Sequence, residues 1–452
     1  MPRKRPRRLA SALILVAGAL VVAACGEKYP NSTFTHLTDF NTIIDGLWNR
    51  LLLLGTIVFV FVEVLLVFTL IKFRRREGGP EPKQTHGNST LEITWTIVPA
   101  LILVLIAVPT VKAIWQTEAK ASANSLQVQV IGHQWWWEFR YPQYGVVTAN
   151  ELYLPAGRTV NFQLNSKDVI HSFWTPQLGG KRDVIANRTN YIWYTPDSSL
   201  AGSVFNGFCT EYCGSSHANM RFHVYTVATA DFESWAAHQK DQAAGSLLVA
   251  PAAAAATAPA AATAPAAPKV ASVAGIKVTP AQKPAPASTV TPPSDGYVFP
   301  LDKMPAHTLP QTPMPVGDRE VKYDDSLLGQ GDVARGHDLV TNMAHMGDVP
   351  CLTCHIIKGE YMVGGKQMFN DDGAKAPNLT HFATRHTFAG GIYKADAPTL
   401  ARWVKNAEHM KPGSLMTTLG NGQYWPSMKQ TRTTGLDDRQ IADIVAYLLS
   451  LK

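Results

Sequence analysis

The chain has 452 residues and a formal net charge of +7, and 17% of its residues are charged whereas 46% are hydrophobic. This mixture excludes a wholly disordered chain and a collagen-like one, and a mean hydropathy of −0.04 argues against a chain that lies mostly in a membrane. The excess of basic residues raises the question of nucleic-acid binding, and the answer depends on where those residues lie in the chain.

Residues 1–24 predict a secretory signal peptide. Five basic residues between positions 3 and 8 precede an apolar run from Leu9 to Ala24, which is the order of charged and apolar regions in such signals. The quartet that ends at Cys25 resembles a bacterial lipobox, so Cys25 is the expected acylation site. The alternative is an ordinary signal peptide with an incidental cysteine.

Residues 36–116 predict a two-span transmembrane hairpin. The apolar runs Leu51–Ile71 and Ile93–Val111 contain 21 and 19 residues, and either would cross a hydrocarbon core of about 30 Å as a helix. The basic residues at 72–76 place the loop between them in the cytoplasm. The N-terminus and everything after the second span are then expected outside.

The net charge follows this topology. Residues 1–24 contain five basic residues and no acidic one, and residues 72–83 contain five basic and two acidic ones. Subtracting +5 and +3 from the total of +7 leaves −1 for the rest of the chain. The basic character is therefore a topology signal, and no nucleic-acid partner is expected.

The remaining chain predicts two modules and a tether. Residues 117–241 contain short strand-like runs between proline, glycine and asparagine turns, which predict an antiparallel sandwich or barrel. Residues 242–296 are mostly alanine, proline, serine, threonine and valine, a composition that predicts a partly extended linker. Helical patterns occupy residues 324–452 and end in an amphipathic helix over residues 437–452.

Two thiols, an imidazole and a thioether lie within twelve residues of the first module. Such soft nitrogen and sulfur ligands favour copper over magnesium or calcium. The candidate ligands are Cys209, Cys213, His217, Met220 and, further upstream, His171. The alternative is a disulfide bond between Cys209 and Cys213, because export favours oxidation.

The second module contains Cys351-Leu-Thr-Cys354-His355, which fits the C-x-x-C-H attachment motif of c-type haem. The two thiols would form thioether bonds to the haem, and His355 would bind the iron. A downstream methionine is expected as the sixth ligand, because a thioether favours reduced iron. The candidates are Met362, Met368, Met410, Met416 and Met428. Zinc binding and a thioredoxin-like redox pair are the alternatives.

Over residues 36–235 the sequence closely resembles subunit II of haem–copper cytochrome c oxidases. The resemblance rests on HGNSTLEITWTIVP at 86–99, GHQWWWEF at 132–139 and the copper motif. It implies a multidomain fold with a two-helix transmembrane anchor, an all-β cupredoxin-like sandwich and an all-α class I cytochrome c domain. KPGSLM at 411–416 resembles a loop of cytochrome c domains fused to that subunit in caa3-type oxidases, which implies Met416 as the sixth ligand.

The same resemblance implies a dinuclear Cu(A) centre. Its implied ligands are Cys209 and Cys213 as bridges, His171 and Met220 on one copper, and His217 and the main-chain carbonyl of Glu211 on the other. The Glu211 carboxylate is expected to reach a magnesium or manganese ion at the subunit I interface. The acidic docking patch common in the family is reduced here to Asp168 beside Lys167, which suits a chain that carries its own electron donor.

Two further roles come from the resemblance. Trp135 is expected to be where electrons reach the copper site, with its neighbours Trp136 and Trp137 as alternatives. Glu92, three residues before Trp95, matches a glutamate that begins a proton path into the catalytic subunit. A carboxylate at a membrane boundary is also a functional candidate by default.

The implied function is that of the electron-input subunit of a caa3-type oxidase in a bacterial inner membrane, with both exported domains on the periplasmic side. Electrons would pass from haem c to Cu(A) and on to subunit I, where O2 is reduced to water with proton pumping. The expected partners are subunits I and III, cytochrome c or another periplasmic donor, and membrane lipid. The alternatives are the electron-input subunit of a nitric-oxide reductase and a free-standing, membrane-anchored electron-transfer protein.

Overall fold

The structure is a computed structural model. It describes residues 18, 31–74, 78–79, 86–118, 121–243, 296–305, 308, 321–342, 351–360 and 375–452. Cys25 and, apart from Gly18, the whole predicted signal peptide lie outside the described residues. So does the predicted linker, apart from Gln242, Ala243 and Gly296.

Two long apolar helices, α1 (Asp39–Lys72) and α2 (Ser89–Glu118), confirm the predicted helical hairpin. Both are long and apolar enough to cross a membrane. Most of their large apolar side chains are exposed, such as Phe59 at 63% and Leu103 at 66%. Leaving so much apolar surface in water is unfavourable, whereas hydrocarbon would cover it.

The N-terminal end of α1 and the C-terminal end of α2 are attached to the sandwich. Asn41 Nδ2 donates to the Gln177 carbonyl at 2.9 Å, in the first turn of α1. Glu118, the last residue of α2, forms an ion pair with Arg182 at 2.6 Å. These contacts explain why the helices extend beyond the predicted apolar runs, since their polar ends pack on protein.

Ten strands between residues 121 and 243 form the sandwich. They are β1 (Leu126–His133), β2 (Trp136–Tyr141), β3 (Val146–Ala149), β4 (Glu151–Pro155), β5 (Val160–Ser166), β6 (His171–Trp174), β7 (Arg182–Val184), β8 (Asn190–Tyr194), β9 (Ser203–Cys209) and β10 (Arg221–Val227). One sheet has the order β3-β2-β1-β5-β8 and the other β4-β10-β9-β6-β7. Aromatic side chains such as Trp137, Phe173 and Phe222 fill the space between them, and helix α3 (Thr229–Lys240) follows β10.

The antiparallel expectation is wrong for two strand pairs. β1 and β5 pair in parallel, from Leu126 opposite Val160 to Gly132 opposite Ser166, and β4 and β10 also pair in parallel. The chain crosses to the second sheet with β4 before β5 returns beside β1, so β1 and β5 run in the same direction. Alternating apolar residues look the same in either direction, and the sequence pattern could not distinguish the two.

The helical module comprises the described residues of 321–452. It contains α4 (Val333–Thr341), α5 (Ala397–Met410) and α6 (Asp438–Leu448), with four two-residue strands, β11 (Thr387–Phe388), β12 (Tyr393–Lys394), β13 (Tyr424–Trp425) and β14 (Gln430–Thr431). Asp437 and Gln440 form a capping box that begins α6. A Cβ on Gly336 would lie 1.9 Å from the Asp443 carbonyl oxygen, so the close crossing of α4 and α6 requires this glycine.

Candidate copper and haem sites

Sulfur and imidazole groups gather at one end of the second sheet. β6 begins at His171, β9 ends at Cys209, and β10 begins directly after Met220. The loop that joins β9 to the neighbouring β10 must fold back over the sheet end, because the two strands are antiparallel. This return brings the side chains of Cys213 and His217 over Cys209.

The distances fit a shared metal centre. Cys209 Sγ lies 3.7 Å from Cys213 Sγ, 3.8 Å from His171 Nδ1 and 3.3 Å from the Glu211 carbonyl oxygen, while Cys213 Sγ lies 3.6 Å from His217 Nδ1 and 3.8 Å from Met220 Sδ. Both cysteines are free, and their separation far exceeds the roughly 2.05 Å of a disulfide bond. The structure therefore brings all six predicted ligands together, and this donor set suits copper.

The charge state of the cluster is set by its own contacts. The hydrogen bond with the Cys213 thiol lowers the pKa of Cys209 below its usual range. A thiolate is the form of cysteine that binds metal, so this contact favours metal binding.

Asp168 has a role that the sequence interpretation missed. Its Oδ1 lies 2.8 Å from His171 Nε2, and its Oδ2 accepts a hydrogen bond from the Gln134 main-chain N–H at 2.7 Å. The carboxylate thus orients the imidazole so that Nδ1 faces the sulfur cluster, as expected of a group behind a metal-binding histidine. The three-residue spacing of Asp168 and His171 was the available signal.

A second candidate site is a mostly apolar cavity of about 330 Å³. The C-x-x-C-H motif lies at its wall, with Met416 and apolar side chains such as Phe388, Leu400 and Leu419. His355 Nδ1 donates to the Pro377 carbonyl at 2.8 Å, which leaves Nε2 with its lone pair for a metal ion. These residues fit a covalently attached haem.

The candidate methionines are placed differently. Met416 lines the cavity, whereas Met428 is 54% exposed and does not line it. Met410 ends α5, is buried, and does not line the cavity either. Met362 and Met368 lie outside the described residues.

Trp135 joins the two sites. Its indole Nε1 donates to the Cys213 carbonyl at 3.0 Å, and its ring lines the cavity. A Cβ on Gly214 would lie 3.0 Å from the ring, and one on Gly413 would lie 2.8 Å from it. One glycine from the sandwich and one from the helical module therefore flank this indole, and both have positive φ.

Of the two neighbouring tryptophans, Trp136 also lines the cavity. Trp137 is fully buried in the sandwich core, and Trp136 stacks on His133 with ring centroids 4.1 Å apart. The two remaining predicted site residues are exposed: Glu92 lies in the first turn of α2, and the Glu211 carboxylate accepts from the Tyr212 N–H at 3.1 Å.

Three family models match the chain in order. They describe the transmembrane domain of cytochrome c oxidase subunit II at residues 13–113, the periplasmic domain of that subunit at 145–227, and cytochrome c at 333–452. The first match begins inside the predicted signal peptide.

A cytochrome c oxidase subunit 2 of Bacillus subtilis is 34% identical over 246 residues, which cover 51% of this chain and 68% of the relative. The chain belongs to the cytochrome c oxidase subunit II family. A member from Alkalihalophilus pseudofirmus is 38% identical over 195 residues, with 41% of this chain and 56% of the relative covered. The chain thus spans little more than half of that relative.

The chain is also similar to a solved structure, the periplasmic domain of cytochrome oxidase subunit II from Bradyrhizobium japonicum. The two are 28% identical, and the match covers 27% of this chain and 97% of the solved one. Its TM-score with this chain is 0.25. Membership in the family implies a Cu(A) copper centre in the sandwich, and the fused cytochrome c domain implies haem c in the helical module. The family assignment made from sequence motifs is confirmed.

Proposed function

We propose that this chain is the electron-input subunit of a caa3-type cytochrome c oxidase, which accepts electrons at haem c and delivers them through Cu(A) to subunit I for the reduction of O2 to water with proton pumping. The observation that carries this proposal is the position of Trp135, which contacts the Cys213 main chain and also lines the haem cavity. A chain that holds both sites around one indole is built to relay electrons between them.

The six-ligand cluster is assigned to Cu(A). His171 lies beside Cys209 and Met220 beside Cys213, which suits one copper held between the two sulfurs. His217 lies beside Cys213 and the Glu211 carbonyl beside Cys209, which suits the second. Each sulfur thus lies beside one proposed ligand of each copper, which would suit two thiolates shared by the copper pair.

Haem c is assigned to the cavity of the helical module. Cys351 and Cys354 would attach it, and His355 Nε2 and Met416 Sδ would bind its iron. The hydrogen bond to Pro377 orients the His355 ring, and the apolar wall excludes water. When bound, the copper pair and the haem supply one-electron chemistry that the polypeptide itself lacks.

Membrane placement and the remaining roles follow the same assignment. Helices α1 and α2 would span a bacterial inner membrane with their connecting loop in the cytoplasm, which places both exported domains in the periplasm. Glu92 would then lie at the cytoplasmic end of α2, where a proton path into subunit I could begin. The exposed Glu211 carboxylate is available for magnesium or manganese at that subunit interface.

The proposed assignment includes three further partners of the chain. They are subunit III, a periplasmic electron donor such as cytochrome c, and lipid attached at Cys25.

Metal analysis and an absorption spectrum of the purified complex test the assignment. We expect two copper atoms and one covalently attached haem in this chain, with electron delivery supporting O2 uptake. A chain without copper would contradict it. Consumption of nitric oxide rather than O2 would assign the subunit to a nitric-oxide reductase instead.

A further inference from the structure

The helical module contacts the sandwich through a docking loop, defined here as residues 386–390. The main-chain N–H groups of His386 and Thr387 donate to Glu151 Oε1 at 2.8 and 3.0 Å. Glu151 begins β4 and is 2% exposed. A sandwich carboxylate therefore satisfies two main-chain donors of the other domain in a buried position.

The docking loop also continues the main-chain bonding of the second sheet. β4 begins at Glu151, opposite His223, and the His223 N–H donates to the Asn150 carbonyl. Two residues earlier, the Arg221 N–H extends past the end of β4 and donates to the Gly390 carbonyl at 2.9 Å. The loop thus occupies the place where a longer β4 would lie.

Lys411 forms a second polar connection between the two domains. Its Nζ donates to the Trp135 carbonyl at 2.6 Å and to the Ala389 carbonyl at 2.8 Å, and the side chain is buried. The next residue, Pro412, accepts a hydrogen bond from the Ser216 hydroxyl through its carbonyl. Since Gly413 then lies against the Trp135 ring, this stretch covers part of the indole.

We propose that Glu151 and Lys411 are positioning residues that hold the helical module closed over Trp135, so that soluble electron donors meet the module and not the indole. This inference rests on the proposed function. Its physical basis is that Glu151 accepts from the docking-loop N–H groups, and Lys411 reaches the Trp135 carbonyl, only in the closed arrangement. Removal of one partner leaves main-chain groups buried without a hydrogen bond, whereas an opened interface returns them to water.

Hydrogen exchange at the Arg221 amide measures the opening of this interface in the full chain, loaded with copper and haem and placed in lipid nanodiscs. The Arg221 amide donates to the Gly390 carbonyl and not to Glu151, so its exchange reports on the interface and not on loss of a direct partner. In Glu151→Ala we expect this amide to exchange about tenfold to hundredfold faster. The control Glu233→Ala removes an exposed carboxylate of the same domain, which contacts Tyr144, and should leave the exchange unchanged.

The double variant Glu151→Ala/Lys411→Met supplies the functional readout. We expect intramolecular electron transfer to be independent of solvent viscosity in the wild type, and slower and viscosity-dependent in the double variant, because the module must reclose first. Two results would overturn the inference in proteins whose copper and haem spectra are intact. They are unchanged Arg221 exchange in Glu151→Ala and an unchanged rate of intramolecular electron transfer in the double variant. Absence of a copper or haem spectrum in the wild type would instead contradict the proposed function.

Discussion

The indole Nε1 of Trp135 donates to the main-chain carbonyl of Cys213 at 3.0 Å, and the Gln134 side chain donates to the same oxygen at 2.7 Å. The aromatic segment between β1 and β2 is therefore bonded directly to the backbone of a proposed copper ligand. A change in the conformation of the copper loop would move Trp135, because no intervening residue absorbs the displacement.

Substitution of a bridging thiol should separate the two proposed centres. Cys213→Ser removes one of the two sulfurs that lie 3.7 Å apart, and we expect loss of the copper absorbance with the haem spectrum intact. The reciprocal variant Cys354→Ser should impair haem attachment and leave the copper absorbance unchanged. A Cys213→Ser protein with the wild-type copper spectrum would refute the ligand assignment.

The contact between Asp168 and His171 should strengthen copper binding. In Asp168→Asn the partner of His171 Nε2 loses its charge, and copper affinity should fall by about 10- to 100-fold. Competition with a chelator measures this change. Asp183→Asn is the matched control, because Asp183 is an exposed carboxylate on β7. Equal affinities in the two variants would show that Asp168 does not support the site.

Substitution of Met416 and of Met428 in turn should identify the sixth ligand of the haem iron. Met416→Ala should lower the midpoint potential of haem c and abolish the sulfur-to-iron charge-transfer band, because the thioether favours reduced iron. Met428→Ala should change neither property, since Met428 is exposed and does not line the cavity. The reverse result would move the ligand to Met428.

Glu92 in α2 and Glu63 in α1 provide a test of the proposed proton uptake. Glu92→Gln should reduce O2 uptake by the complex while the copper and haem spectra stay unchanged, since Glu92 is remote from both candidate sites along the chain. Glu63→Gln, in the middle of α1, is the control and should retain O2 uptake. Wild-type turnover in Glu92→Gln would remove this residue from the proton path.

The packing of β9 against β10 predicts a stability effect. A Cβ on Gly207 would lie 2.2 Å from the Phe222 ring, so Gly207→Ala should destabilise the sandwich by about 1–3 kcal/mol. Thermal unfolding followed by the copper absorbance measures this loss. Gly46→Ala, where a Cβ would meet nothing within 4 Å, should leave the transition unchanged.

Features that depend on short stretches of chain could be predicted from the sequence. Helices α1 and α2 follow from the length of two apolar runs. The C-x-x-C-H motif and the spacing from Cys209 to Met220 are local, because each lies within one short stretch of the chain. The family assignment rests on these same local patterns.

Features that depend on distant segments were decided by the tertiary structure alone. Three features join residues far apart in the chain: the parallel pairing of β1 with β5, the contact of Trp135 with Cys213, and the contact of Glu151 with the docking loop. Residue type and spacing specify which groups are available, whereas partner and orientation depend on how the two domains pack. The sequence by itself therefore determined the order of the modules and which groups are candidate ligands, and only the packing of the helical module on the sandwich decided how the two sites meet.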